Sequence, residues 1–123
     1  MKRNQYTLGK SVSFKGNGLH SGIPVTLTMR PAPAGSGIIF RRIDLTGTPK
    51  VPAKSEFVTN TLRATTLERG DAKVFTVEHI LSALFALRID NCILEMDAPE
   101  PPVADGGALT FSQMILEAGI MEL

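Results

Sequence analysis

Hydrophobic and polar positions alternate most cleanly at Val25, Leu27 and Met29, with Thr26, Thr28 and Arg30 between them. A period of two sets the apolar trio on one face of a strand and the polar trio on the other. From Gln5 to Phe14 the pattern is also extended, but Tyr6 and Leu8 keep one phase and Val12 and Phe14 another. The slip falls at Gly9-Lys10, where a glycine marks a bulge. Gly16, Gly18 and Gly22 crowd the next stretch, which predicts a tight connection and antiparallel pairing with the Val25–Met29 strand. Pro31 to Gly37 reads as a stiff loop and Gly37–Ile43 as the following strand. Asn60–Leu67 is extended, Glu68-Arg69-Gly70-Asp71 a turn, and Ala72–Phe75 the returning strand. Cys92–Met96 opens with three apolar residues in a row, as expected well inside a sheet.

Between Phe75 and Leu87 the period changes to that of a helix. Thr76 stands where an N-cap belongs, and Val77, Ile80, Leu81, Leu84 and Phe85 form one apolar face at about 100° per residue. His79 falls on the opposite side with Ser82, Ala83 and Ala86. Asn91 is the expected left-handed residue after this helix, because asparagine tolerates that conformation. A second helix is expected from about Ala108 to Ala118, with Asp105 as its N-cap and Gly119 as its glycine C-cap. Leu109, Phe111, Met114 and Ile115 are its sheet-facing positions.

The order of strands, helix, strand and helix, with short connections, predicts an α+β two-layer sandwich. Residues 1–123 form one domain, a mixed or antiparallel sheet with both helices packed on one face. A hydrophobic content of 43% and a charged content of 20% suit such a core. The formal net charge of +1 offers no attraction to nucleic acid or an anionic surface. An RNA-binding surface would have to use Arg41, Arg42, Lys50, Lys54 and Arg63, which are scattered with little aromatic interleaving. Arg41 and Arg42 are better placed to flank a strand end or pair with Asp44. No run approaches the roughly 20 apolar residues of a membrane span, so no stable membrane insertion is expected. The lone cysteine, Cys92, and the polar start of the chain lead to the expectation of a reducing, cytoplasmic setting.

Glu78 and His79 are the candidate chemistry. Both fall in the first helical turn, where free N–H groups and the helix dipole favour a carboxylate and disfavour imidazolium. An ionised carboxylate beside a neutral imidazole suits a metal ligand with an adjacent general base. A solvated surface pair remains open at this point. The zinc-protease spacing His-Glu-x-x-His is absent, because position 83 is alanine, so this helix offers one metal ligand at most.

Read together, several stretches resemble one family. They are Gly18-Leu19-His20-Ser21-Gly22, Val25-Thr26-Leu27-Thr28-Met29-Arg30-Pro31-Ala32-Pro33, Phe40-Arg41-Arg42-Ile43-Asp44-Leu45, Thr76-Val77-Glu78-His79, Ile89-Asp90-Asn91, Asp97-Ala98-Pro99-Glu100 and Asp105-Gly106. In that order they resemble the amino-terminal half of UDP-3-O-acyl-N-acetylglucosamine deacetylase, the zinc enzyme of lipid A biosynthesis. The resemblance implies two similar sandwich domains with an active site between them, the second absent from this chain. It implies that Glu78 is the general base and that His79 binds Zn2+, with the remaining ligands on the second domain. It implies substrate contacts from His20, Leu62 and Ala64, although some members carry methionine and cysteine where this chain has Leu62 and Ala64. The expected partners are a UDP-linked acylated aminosugar and the second sandwich domain, and the chain alone is expected to be catalytically inert. Some members continue into a fused acyl-carrier-protein dehydratase. The alternative reading is a non-catalytic binding or regulatory module on the same fold.

Overall fold

A computed structural model describes residues 4–103 and 108–123. Its ten strands and two helices follow the α+β plan, but the strands divide among three sheets. The largest sheet is built from β2 (Val12–Asn17), β3 (Pro24–Pro31), β4 (Ile38–Arg42), β5 (Lys50–Pro52) and β9 (Cys92–Met96), in the order β2-β3-β9-β4-β5. Every pairing in it is antiparallel except β4 with β9, so the sheet is mixed.

The period-two pattern decides which face is buried. Val25, Leu27 and Met29 of β3 lie beneath the helices with Phe40, Leu94 and Met96, all within the main hydrophobic core. Register puts Leu27 opposite Met96 and Met29 opposite Leu94, which forms a continuous apolar surface across three strands. The other face carries Ser13 and Thr28, whose hydroxyls meet at 2.8 Å, and the Arg30–Glu95–Arg41 group. That face is polar because the strands alternate.

Helix α1 (Glu78–Ala86) and helix α2 (Leu109–Ala118) pack against each other on the apolar face. Their facing positions differ in part from the sequence-based expectation. Ile80, Ala83 and Leu84 are buried in α1, whereas Phe85 is 87% exposed. The buried stripe is therefore rotated toward Ala83, and Ser82 and Ala86 remain on the outside. In α2, Phe111, Met114 and Ile115 are buried as expected, but Leu109 at the first turn is 62% exposed. Both helices are short and rich in apolar residues, so helical periodicity alone permits more than one face.

Thr76 does not cap α1. It is buried at φ +57°, and its hydroxyl is taken by Glu100; Val77 precedes the helix without a side-chain cap. Asn91 does not end the helix either, since Arg88 is the left-handed residue, at φ +60°. The buried Asn91 side chain instead accepts from Gly37 N–H at 2.9 Å and donates to Gln5 Oε1 at 2.8 Å. Gly119 does have positive φ, 84°, and its N–H donates to the Ile115 carbonyl at 3.0 Å. Asp105, the expected cap of α2, and Gly106 lie outside the described residues.

The remaining strands make two small sheets. β6 (Val58–Asn60), β7 (Thr66–Arg69) and β8 (Ala72–Phe75) form a three-stranded antiparallel sheet beside β5. Asn60–Leu67 is thus not one strand: it breaks after Asn60 and resumes at Thr66. β1 (Tyr6–Leu8) pairs with β10 (Ile120–Glu122), joining the two ends of the described chain. Among the described residues no helix is long and apolar enough to cross a membrane.

Candidate active site

Glu78 and His79 open α1, directly after the β8 strand and the strained Thr76. Both are half-buried. The Glu78 Oε1 accepts the backbone N–H of Thr65 at 3.1 Å, and Val77 N–H reaches the Thr65 carbonyl over 3.5 Å. The start of the helix is therefore tied to the segment between β6 and β7.

That segment borders a hollow of about 370 Å³ lined by His20, Asn60, Leu62, Arg63, Ala64, Thr66 and Phe75. Three residues expected to face substrate meet here, His20 from the glycine-rich turn and Leu62 and Ala64 from the segment after β6. Leu62 is 91% exposed. Glu78 reaches the same rim through Thr65, which lies between the lining residues Ala64 and Thr66.

One further residue, to which the sequence alone gives no role, is central. Glu100, 1% exposed, lies in the proline-rich loop after β9. Its Oε1 accepts from Ser21 N–H at 2.9 Å and His20 N–H at 3.1 Å. Its Oε2 accepts from the Thr76 hydroxyl at 2.5 Å and again from His20 N–H at 3.1 Å. Burial pushes the carboxyl pKa up, but the Thr76 hydroxyl and the Ser21 and His20 N–H groups outweigh it, and it lies below the ordinary 4.5. No local signal in the sequence marks it, because an acidic residue in a proline-rich loop is ordinarily exposed.

Elsewhere Arg41 and Arg42 have structural partners. Arg42, 7% exposed, makes a forked pair with Asp44 at 2.9 and 2.7 Å and donates to the Lys73 carbonyl at 2.8 Å. Arg41 turns to Glu95 and Thr48 on the other sheet face. Cys92 is fully buried, and burial pushes its thiol up to about 12. It packs as a small hydrophobe. Among the described residues, no group of three or more His, Cys, Asp or Glu side chains gathers as a metal site would require.

Residues 5–123 match the family model of UDP-3-O-acyl N-acetylglycosamine deacetylase, LpxC. The chain belongs to this family. A UDP-3-O-acyl-N-acetylglucosamine deacetylase of Myxococcus xanthus is 50% identical over 119 residues, which cover 97% of this chain and 38% of that protein. One from an Anaeromyxobacter species (strain Fw109-5) is 52% identical over 116 residues, covering 94% of this chain and 38% of the relative. A protein of Chlorobaculum tepidum named bifunctional enzyme LpxC/FabZ is 47% identical over 119 residues, 97% of this chain and 26% of its own. The chain thus spans about two fifths or less of these curated LpxC relatives. As an LpxC-family domain it carries the Thr-Val-Glu-His stretch at the start of α1 and the Gly18–Gly22 turn, which Glu100 ties to Thr76.

Proposed function

We propose that this chain is the first of two sandwich domains in a zinc-dependent deacetylase that hydrolyses the N-acetyl group of UDP-3-O-acyl-N-acetylglucosamine in lipid A biosynthesis. Family membership and the names of the relatives support the reaction class. One observation supports the site: the Glu78 carboxylate is tied through Thr65 N–H to the rim of a hollow that also holds His20, Leu62 and Ala64.

Hydrolysis of the amide consumes one water, breaks the C–N bond, and yields acetate and a free amine. Glu78 is the general base that takes the proton of the attacking water. Its place in the first turn of α1, with Oε1 accepting the Thr65 N–H, fixes where that carboxylate stands. His20, Leu62 and Ala64 border the bound sugar nucleotide, with Leu62 offering apolar surface. A catalytic zinc takes three protein ligands. The described residues do not fit a complete zinc site, because no three His, Cys, Asp or Glu side chains among them gather as its ligands. The other ligands therefore come from outside these residues, in the second domain. The reading also implies a cytoplasmic protein.

The test is deacetylase turnover by the longer polypeptide that carries this chain, with Glu78→Gln and His79→Gln. Turnover is expected in the wild type and lost in both variants. Normal turnover in Glu78→Gln would remove the general-base role, and an inactive wild type would leave the non-catalytic binding module.

A further inference from the structure

Glu100 sits where two pieces of the site meet. A carboxylate at 1% exposure is costly unless its charge is met, and among the described residues none of its partners is a cation. It is met by N–H and O–H groups from the Gly18–Gly22 turn and by Thr76. The approach is so close that a Cβ at Gly18 would lie 2.2 Å from Glu100 Oε1, so any side chain at residue 18 would have to push the buried carboxylate aside. Backbone bonds bracket the carboxylate, with Val103 N–H on the Asn17 carbonyl at 2.7 Å and Phe75 N–H on the Pro99 carbonyl at 2.9 Å.

Thr76 supplies the second half of the argument. A buried, β-branched residue at φ +57° is a strained conformation that neighbouring structure must hold in place. The hydroxyl bond to Glu100 is such a hold, and Thr76 lies immediately upstream of Val77, Glu78 and His79. The direction in which α1 starts, and so where Glu78 and His79 point, depends on this residue.

We propose that Glu100 is a positioning residue: its carboxylate locks the His20 turn to Thr76, so that His20, Glu78 and His79 keep one fixed arrangement. This rests on the deacetylase reading of Glu78 and His79. Glu100 touches neither substrate nor metal in this role, and acts through the backbone on either side of it.

Two readouts test it. In the 123-residue chain, amide exchange at His20 and Ser21 is expected to quicken about 10-fold in Glu100→Gln, as charge-assisted bonds weaken to neutral ones. In the longer polypeptide, kcat per folded molecule is expected to fall about 10-fold in Glu100→Gln and Thr76→Val, the order of effect that small misplacements produce. Thr76→Ser keeps the hydroxyl and is expected to restore kcat. Quickened exchange with unchanged kcat per folded molecule would make Glu100 a structural tie alone and overturn the proposal. Unchanged exchange at His20 and Ser21 would overturn the lock itself. An inactive wild type would instead defeat the deacetylase reading, and this role with it. If Glu100→Gln fails to fold, the Thr76→Val and Thr76→Ser pair decides the matter.

Discussion

The backbone N–H of Thr65 donates to Glu78 Oε1 over 3.1 Å, across the gap between the small sheet and the first turn of α1. The acceptor oxygen and the proposed chemistry thus belong to one carboxylate. Glu78→Gln retains a carbonyl oxygen for Thr65 and is expected to unfold within about 0.5 kcal/mol of the wild type. Glu78→Ala leaves the N–H unpaired and is expected to cost about 1 kcal/mol. Urea unfolding of the chain measures both. Equal losses in the two variants would show that the bond contributes nothing.

Acid should loosen the fold through Glu100. Its folded pKa lies below 4.5, so the unfolded chain binds the proton more readily. The resulting stability is fully present above that ordinary value and is lost as pH falls through the folded pKa. Asp44 acts with the same sign, since the Arg42 guanidinium holds it below 3.8. The urea midpoint of the wild type is expected to fall through this acid range, and the slope to flatten in Glu100→Gln. A midpoint that rises on acidification would contradict the assignment.

The two halves of the Leu84-Phe85 pair should behave as opposites. Leu84, 1% exposed, lies under α1, and Leu84→Ala is expected to cost about 2–5 kcal/mol. Phe85, 87% exposed, should tolerate Phe85→Ser within about 0.5 kcal/mol. Comparable losses would put Phe85 back in the core.

Cys92 should resist thiol reagents at pH 8 until the chain unfolds, because burial pushes its pKa up to about 12. Labelling by a chromogenic disulfide, followed with and without urea, checks this. Rapid labelling of the native chain would show that β9 opens.

Zinc titrated into the isolated chain is expected to bind weakly, with the heat lost in His79→Ala, and the chain alone should show no deacetylase turnover. Calorimetry reads the binding. Tight one-to-one binding would mean that these residues hold a whole metal site.

The parts of the fold legible in the sequence are those set by local periodicity. Val25, Leu27 and Met29 could be placed because a half-buried strand repeats every two residues and nothing in the segment competes. The face of α1 was harder, since Ala83 and Phe85 are both apolar and the decision between them was made by α2 and the sheet. Thr76 looked like a cap because threonine before a helix usually caps it; a carboxylate 24 residues downstream took the hydroxyl instead. Asn91 was similarly claimed by Gln5 and Gly37. At the site, Glu78 and His79 stood out as a residue pair, whereas Glu100 became meaningful only once the fold brought His20, Ser21 and Thr76 around it.

The pairing of Tyr6–Leu8 with Ile120–Glu122 carries a consequence for biosynthesis. β1 is made before every other described strand, yet it waits for β10 before it gains its partner. While the ribosome still holds β10, Leu8, buried in the finished domain, cannot be sealed in by its own sheet. Once β10 has emerged the domain closes like a clasp, rather than growing steadily strand by strand.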